Sequence, residues 1–216
     1  MAGVINVFTL PASNRDEGTR QRAEFMVGSY DSLATSYSFV QKLNDLDLSF
    51  GVSHAQGEGF SAGDKNRGNT EADGFESTRI SFGVGFQATD ALRLELNGFV
   101  IKNEAEFDEF TGAGPVDGTP GDEFGTREER GIRLAAEYDS GGHWQHRLTA
   151  SRFLVDRSQV SLTTTPGSSD AFSSYLKGKR DRIDWQSIVV VNDAITLSFG
   201  ADLEKVKSFD TNIPGG

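Results

Sequence analysis

The chemistry open to this chain rests mostly on carboxylates. Asp and Glu number 32 against 21 Lys and Arg, the formal charge is -11, and there is no cysteine among 216 residues. Without cysteine the chain builds neither a disulfide framework nor a thiolate metal site, and a cytosolic redox role is excluded. His54, His143 and His146 lack the spacing of a metal triad, and the last two flank a tight turn where a surface imidazole is ordinary. The hydroxyl-rich run Thr163 to Ser169 has no nucleophile-elbow context. Gly83 and Gly85 sit inside a strand-like pattern with no helix behind them, so they form no nucleotide fingerprint. No catalytic residues are assigned, and an enzyme is not expected. A nucleic-acid partner would require clustered Lys and Arg to displace counterions, which the acidity opposes. Cation binding, or plain solvation by acidic residues, is what remains.

The elements that would carry these residues read as strands. Leu46, Leu48, Phe50 and Val52 alternate with Asp47, Ser49, Gly51 and Ser53, the period of a strand with one apolar face. The pattern returns as Ile80, Phe82, Val84 and Phe86 against Arg79, Ser81, Gly83 and Gly85. It returns again as Leu92, Leu94 and Leu96 against Arg93, Glu95 and Asn97. Further examples are Ile132 to Tyr138, Ile183 to Val189 and Ile195 to Ala201, whereas parity slips between Trp144 and Val155. No stretch reads as an amphipathic helix. The longest apolar run, Ile188 to Val191, is far below the roughly 18 to 20 residues of a membrane-spanning helix. Hydrophobic residues make up 36%, with 25 glycines, which is lean for one large globular core.

Connections alternate in length. Short turns are expected at Asn44-Asp45, Thr89-Asp90, Ser140-Gly141-Gly142 and Asn192-Asp193, each with the residue types that tight hairpins use. Long polar loops are expected at about 56–74, 103–128 and 161–179, with a fourth from near Lys207. Outer-membrane barrels place short turns on the periplasmic side and long loops outside. Strands of about 10 to 13 residues suit a tilted crossing of the bilayer better than a globular sheet. A water-soluble sheet with one wet face gives the same alternation but leaves the loop asymmetry without a cause. Asp47, Arg79, Arg93, Glu95, Arg133, Glu137 and Asp184 on the polar parity call for water or a polar plug. Tyr30, Tyr37, Phe75, Phe86, Tyr138, Trp144 and Trp185 are candidates for interfacial girdles.

The segment Ala2-Gly3-Val4-Ile5-Asn6-Val7-Phe8-Thr9 resembles the stretch that closes the plug domain of TonB-dependent outer-membrane receptors, just ahead of the first barrel strand. The resemblance implies an all-β fold, an antiparallel transmembrane β-barrel of 22 strands around a plug, of which this chain would supply about nine. Residues 1–10 would then end the plug, 11–20 would link, and 21–216 would begin the barrel. The first strand is expected near Gln21 to Tyr30, turning at Asp31-Ser32 and returning through Tyr37 and Phe39. The start of the chain has no basic segment followed by an apolar stretch, so a secretory signal and most of the plug are expected upstream.

Within that family the chain is most similar to the cobalamin receptors. Asn69-Thr70-Glu71-Ala72-Asp73-Gly74-Phe75 resembles their acidic loop, in which alternate residues bind calcium, and Phe107-Asp108 resembles their aromatic residue followed by a ligand Asp. The implied calcium ligands are Asn69, Glu71, Asp73, Phe107 and Asp108, with a last carboxylate from Asp117 or Asp122. Asn69 and Glu71 depart from the family pattern by substituting other oxygen-bearing types. Calcium takes six to eight oxygen ligands, which two acidic loops of neighbouring hairpins can supply. The resemblance implies TonB-driven import of cobalamin across the bacterial outer membrane, with lipid around the barrel and the energy-coupling complex acting on the plug. A siderophore receptor of the same family, a passive porin and a secreted calcium-dependent binding sheet are the alternatives.

Overall fold

A computed structural model describes residues 18–60, 66, 72–107, 109–111, 114–116, 123–161 and 172–214. The chain forms β1 (Gly18–Val27), β2 (Leu33–Leu43), β3 (Leu46–Gly57), β4 (Phe75–Thr89), β5 (Leu92–Glu106), β6 (Glu109–Thr111), β7 (Gly114–Val116), β8 (Glu123–Asp139), β9 (Trp144–Ser161), β10 (Phe172–Asn192) and β11 (Ile195–Pro214). Nine of these pair antiparallel in the order β1-β2-β3-β4-β5-β8-β9-β10-β11, and β6 with β7 forms a small hairpin within the β5–β8 connection. Every pairing in the large sheet joins sequence neighbours apart from that insertion. The sheet is open, with β1 and β11 as its edges. No α-helix occurs among the described residues.

The short turns fall where the residue types require them. Asn44 takes a left-handed backbone (φ 46°) between β2 and β3, as a two-residue hairpin demands. The β4–β5 turn is held by the Thr89 hydroxyl, which accepts from the backbone N–H of Leu92 at 3.1 Å. The Asp139 carboxylate accepts from the N–H groups of Gly141 and Gly142 at 2.9 and 3.1 Å, which pulls its pKa below the ordinary 3.8. The Asn192 side-chain oxygen accepts from the N–H of Ala194 at 3.0 Å between β10 and β11.

Several boundaries differ from the sequence reading, including the expected loop at 103–128, whose ends 103–106 and 123–128 belong to β5 and β8. β1 starts at Gly18 and stops at Val27, because Tyr30 and Asp31 adopt left-handed φ values of 59° and 48° in a turn that strand geometry excludes. The later strands run longer than 10 to 13 residues: β8 has 17, β9 has 18, β10 has 21 and β11 has 20. Segments read as loop at 172–179 and 207–214 are therefore paired strand. These extensions carry polar residues on both faces, so no apolar period marks them, and only the backbone ladder carries the sheet onward.

The slip of parity in β9 has a packing cause. β9 pairs without a bulge on both sides, so its side chains keep strict alternation. Trp144, His146, Leu148 and Ala150 share the apolar face, whereas Phe153 and Val155 turn to the opposite one. There Phe153 meets Phe99 with ring centres 6.4 Å apart. Gly131 stands between their strands, and a methyl group added to it would overlap the Phe99 ring.

Candidate functional site

The two faces of the sheet differ in side-chain character. Cross-strand partners share a face, so the register assigns each side chain. Leu46, Val84, Phe86, Leu94, Leu96, Leu134, Leu148 and Trp185 fall on one side. Asp47, Gly85, Arg93, Glu95, Ala135, Arg133 and Thr149 fall on the other. The apolar side is the exposed one: Leu134 is 56% accessible, Ile132 48% and Phe86 46%. On the charged side Asp47 is 4% accessible, and Gly85, Ala135 and Thr149 on the same face are buried. Ala135 is the one buried hydrophobic residue among those described, and it too lies on the charged side. Exposed contiguous apolar surface on this scale marks contact with lipid or another apolar partner.

The apolar face is a band of limited height. Towards the loop end Val52 is followed on the same face by His54, Ile80 by Thr78, Val100 by Lys102 and Ile132 by Arg130. The change continues across the sheet from Ala150 to Arg152, from Ile183 to Asp181 and from Leu203 to Lys205. From Leu92 to Val100 the band covers roughly 26 Å of strand at ~3.3 Å per residue, or about 20 Å of height at a tilt of ~40°. At the turn end an aromatic string borders it. The His146 ring lies 6.4 Å from Tyr138, 4.9 Å from Trp144 and 6.0 Å from Trp185, and Trp185 meets Phe199 at 5.6 Å. The Trp144 indole N–H donates to the Ser187 hydroxyl at 2.8 Å, which satisfies its polar edge. Tyr138, Trp144 and Trp185 were legible as girdle candidates; His146 and Phe199 join them through the register alone.

The charged face carries a ladder of ion pairs at the height of the apolar band. Arg93 donates to Asp47 at 2.5 Å and to Glu95 at 3.2 Å, Arg133 lies 3.6 Å from Glu95, and Arg147 lies 3.2 Å from Glu137. The other Asp47 oxygen, Oδ1, is buried without a hydrogen-bond partner among the described residues. Four strands thus hold alternating charges on one face, each paired with an opposite charge.

The acidic loop residues divide between described and undescribed segments. Asn69, Glu71, Asp108, Asp117 and Asp122 lie outside the described residues. Asp73 and Phe107 lie within them and flank a reciprocal contact. The Gly74 N–H donates to the Glu106 carboxylate at 2.9 Å, and the Glu106 N–H donates to the Gly74 carbonyl at 2.9 Å. The two segments singled out in sequence are therefore brought side by side at the loop end. Gly59 approaches the Asp73 carbonyl so closely that a methyl group there would overlap it, and its φ of +69° also favours glycine. Asp31, Glu58, Glu76, Glu104 and Glu106 line a recess of about 470 Å³ beside this contact. Among the described residues no three His, Cys, Asp or Glu groups converge as metal ligands.

Neither a protein-family model nor a curated protein matches the chain.

Proposed function

We propose that this chain is the first part of a TonB-dependent outer-membrane receptor barrel, which imports a scarce nutrient, most closely cobalamin. The observation that carries the reading is the two-faced sheet: an exposed apolar band on one side and a ladder of ion pairs, anchored on the buried Asp47, on the other. A bilayer would solvate the first and a filled lumen the second, and the short turns at one end against the longer connections at the other, the short β1–β2 turn excepted, support the orientation. Further strands would pair with the two open edges, which hydrocarbon does not tolerate unpaired. A plug in the lumen, pulled by the energy-coupling complex of the inner membrane, would open the path for substrate.

In this reading the acidic recess and its neighbouring loops face the outside, where calcium would hold the loops in one arrangement. The proposed ligands are Asp73 and the Phe107-Asp108 pair with Asn69, Glu71 and Asp117 or Asp122. The test has two stages. Fractionation of cells producing the complete protein should place it in the outer membrane, and recovery from the soluble periplasm or the medium would remove the proposal. Cobalamin titration should then show affinity that falls in the Asp73→Asn/Asp108→Asn variant when calcium is present and is unaffected by the variant when calcium is chelated. Tight binding of a ferric siderophore in place of cobalamin would move the substrate within the same family.

A further inference from the structure

β9 and β10 form a notch on the charged face, in the loop half of the sheet. Phe153, Val155 and Arg157 lie on that face of β9, and the register sets Arg180, Gly178 and Leu176 of β10 directly opposite them. Gly178 leaves the middle of the second row without a side chain. A methyl group added there would stand 2.7 Å from a Val155 methyl carbon, so Val155 forms the floor of the notch. On the β8 side the Phe153 ring lies 6.4 Å from that of Phe99, and on the β11 side Ser208 stands opposite Gly178. The result is an apolar floor with an arginine at each end.

The neighbouring arginines of this face are already matched with acids: Arg127 with Glu129, Arg133 with Glu95 and Arg182 with Asp202. Arg157 and Arg180 are exposed and make no ion pair among the described residues. The acids of β11 at this height, Glu204 and Asp210, stand opposite Arg182 and Leu176. Arg180 instead holds its guanidinium carbon 5.9 Å from the centre of the Phe153 ring. A guanidinium over a ring keeps its planar fork of donors free for a carboxylate, so one group selects both the aromatic and the anionic part of a ligand. Along β9, Arg157 is four residues beyond Phe153, the partner of Arg180, which separates the two ends by about 13 Å at ~3.3 Å per residue. Two extended arginine side chains span that gap around a single ring system.

We propose that the notch between β9 and β10 binds an aromatic carboxylate, with the ring against Phe153 and Val155 and the anionic group held by Arg157 and Arg180. The inference rests on the outer-membrane reading above, in which this face lines the lumen, and it adds an aromatic anion to the solutes that the lumen wall holds.

The complete protein in detergent micelles would be titrated calorimetrically with naphthoate, with the neutral naphthalenemethanol and with cyclohexanecarboxylate. The expected result is that naphthoate binds about tenfold more tightly than either, and that Arg180→Gln and Arg157→Gln each lose about tenfold of that affinity. Arg152→Gln, on the opposite face of β9, should leave it unchanged. Absent naphthoate binding, equal affinity for naphthoate and the neutral alcohol, or a loss in Arg152→Gln as large as in Arg180→Gln, would overturn the inference. Should Arg180→Gln fail to fold, Arg157→Gln at the exposed upper end gives the same reading. Cell fractionation separates the two levels of the account. A protein found in the outer membrane that does not bind naphthoate refutes the notch alone, and one that binds naphthoate through both arginines yet stays out of the membrane refutes the barrel and keeps the notch.

Discussion

The turn half and the loop half of the sheet use the same backbone ladder with different side-chain patterns. In the turn half, Leu94, Leu134 and Leu148 face out while the opposite side holds Arg93 and Asp47, which are 16% and 4% accessible at their side chains. In the loop half both sides are polar. The outward pairs Arg130–Glu128 and Arg152–Asp181 and the opposite-face pair Arg127–Glu129 all sit where at least one partner is well exposed. Alternation of side-chain character is therefore confined to the turn half, whereas the strands themselves continue wherever the ladder finds partners.

The largest expected effect comes from the charged side of the turn half. Arg93→Met leaves the buried Asp47 carboxylate without its cation and should cost about 3 to 5 kcal/mol of unfolding free energy, measured by urea titration in micelles. Removal of Asp181 from the exposed pair with Arg152 should leave unfolding nearly unchanged in the same assay, because water and salt screen the pair, and a similar loss at both positions would erase the contrast between the halves.

Next in size is a charge placed on the apolar band. Leu134→Arg should destabilise the vesicle-inserted protein by about 2 to 4 kcal/mol, while Thr126→Arg on the same face of the same strand should fall near zero. In a water-soluble sheet the order would flatten or reverse, because Leu134 is already 56% accessible.

Smaller again is the backbone of the acidic recess. Gly59→Ala combines left-handed strain of about 1 to 2 kcal/mol with overlap at the Asp73 carbonyl. It should speed proteolytic cleavage in the connection between β3 and β4 while leaving the unfolding of the strands nearly unchanged. The least effect belongs to the Asp139 turn. Its carboxyl titrates below 3.8 because the Gly142 and Gly141 N–H groups favour the anion. The stability it adds is present above pH ~3.8 and is lost as pH falls through the lower folded value. Asp139→Asn should thus lower the melting temperature slightly at pH 7, by a difference that shrinks as the pH falls below 3.8.

The sequence made the turn half legible because one face there is apolar and the other is not. The period of Leu92, Leu94 and Leu96 fixes both the strand and its outward side. The loop half was read as coil at 172–179 because Lys177, Lys179, Arg180 and Asp181 present no apolar parity, and strand identity came only from pairing with β9 and β11. The displacement of Phe153 and Val155 to the charged face was equally hidden, since the glycine and phenylalanine that receive Phe153 lie on β8 and β5, distant in sequence. At the candidate site, Asp73 and Phe107 were singled out by type. Their juxtaposition through Gly74 and Glu106 depends on the β4–β5 register, which no local pattern encodes.

The most direct measurement uses the absence of cysteine from the chain. Single cysteines at Leu134 and at its neighbour Ala135, which lie on opposite faces, can carry an environment-sensitive fluorophore in the complete protein reconstituted into vesicles. Brominated phospholipid should quench the probe at position 134 strongly and the probe at 135 weakly. Quenching of the 134 probe by aqueous iodide, with no response to brominated lipid, would contradict a lipid-facing apolar band.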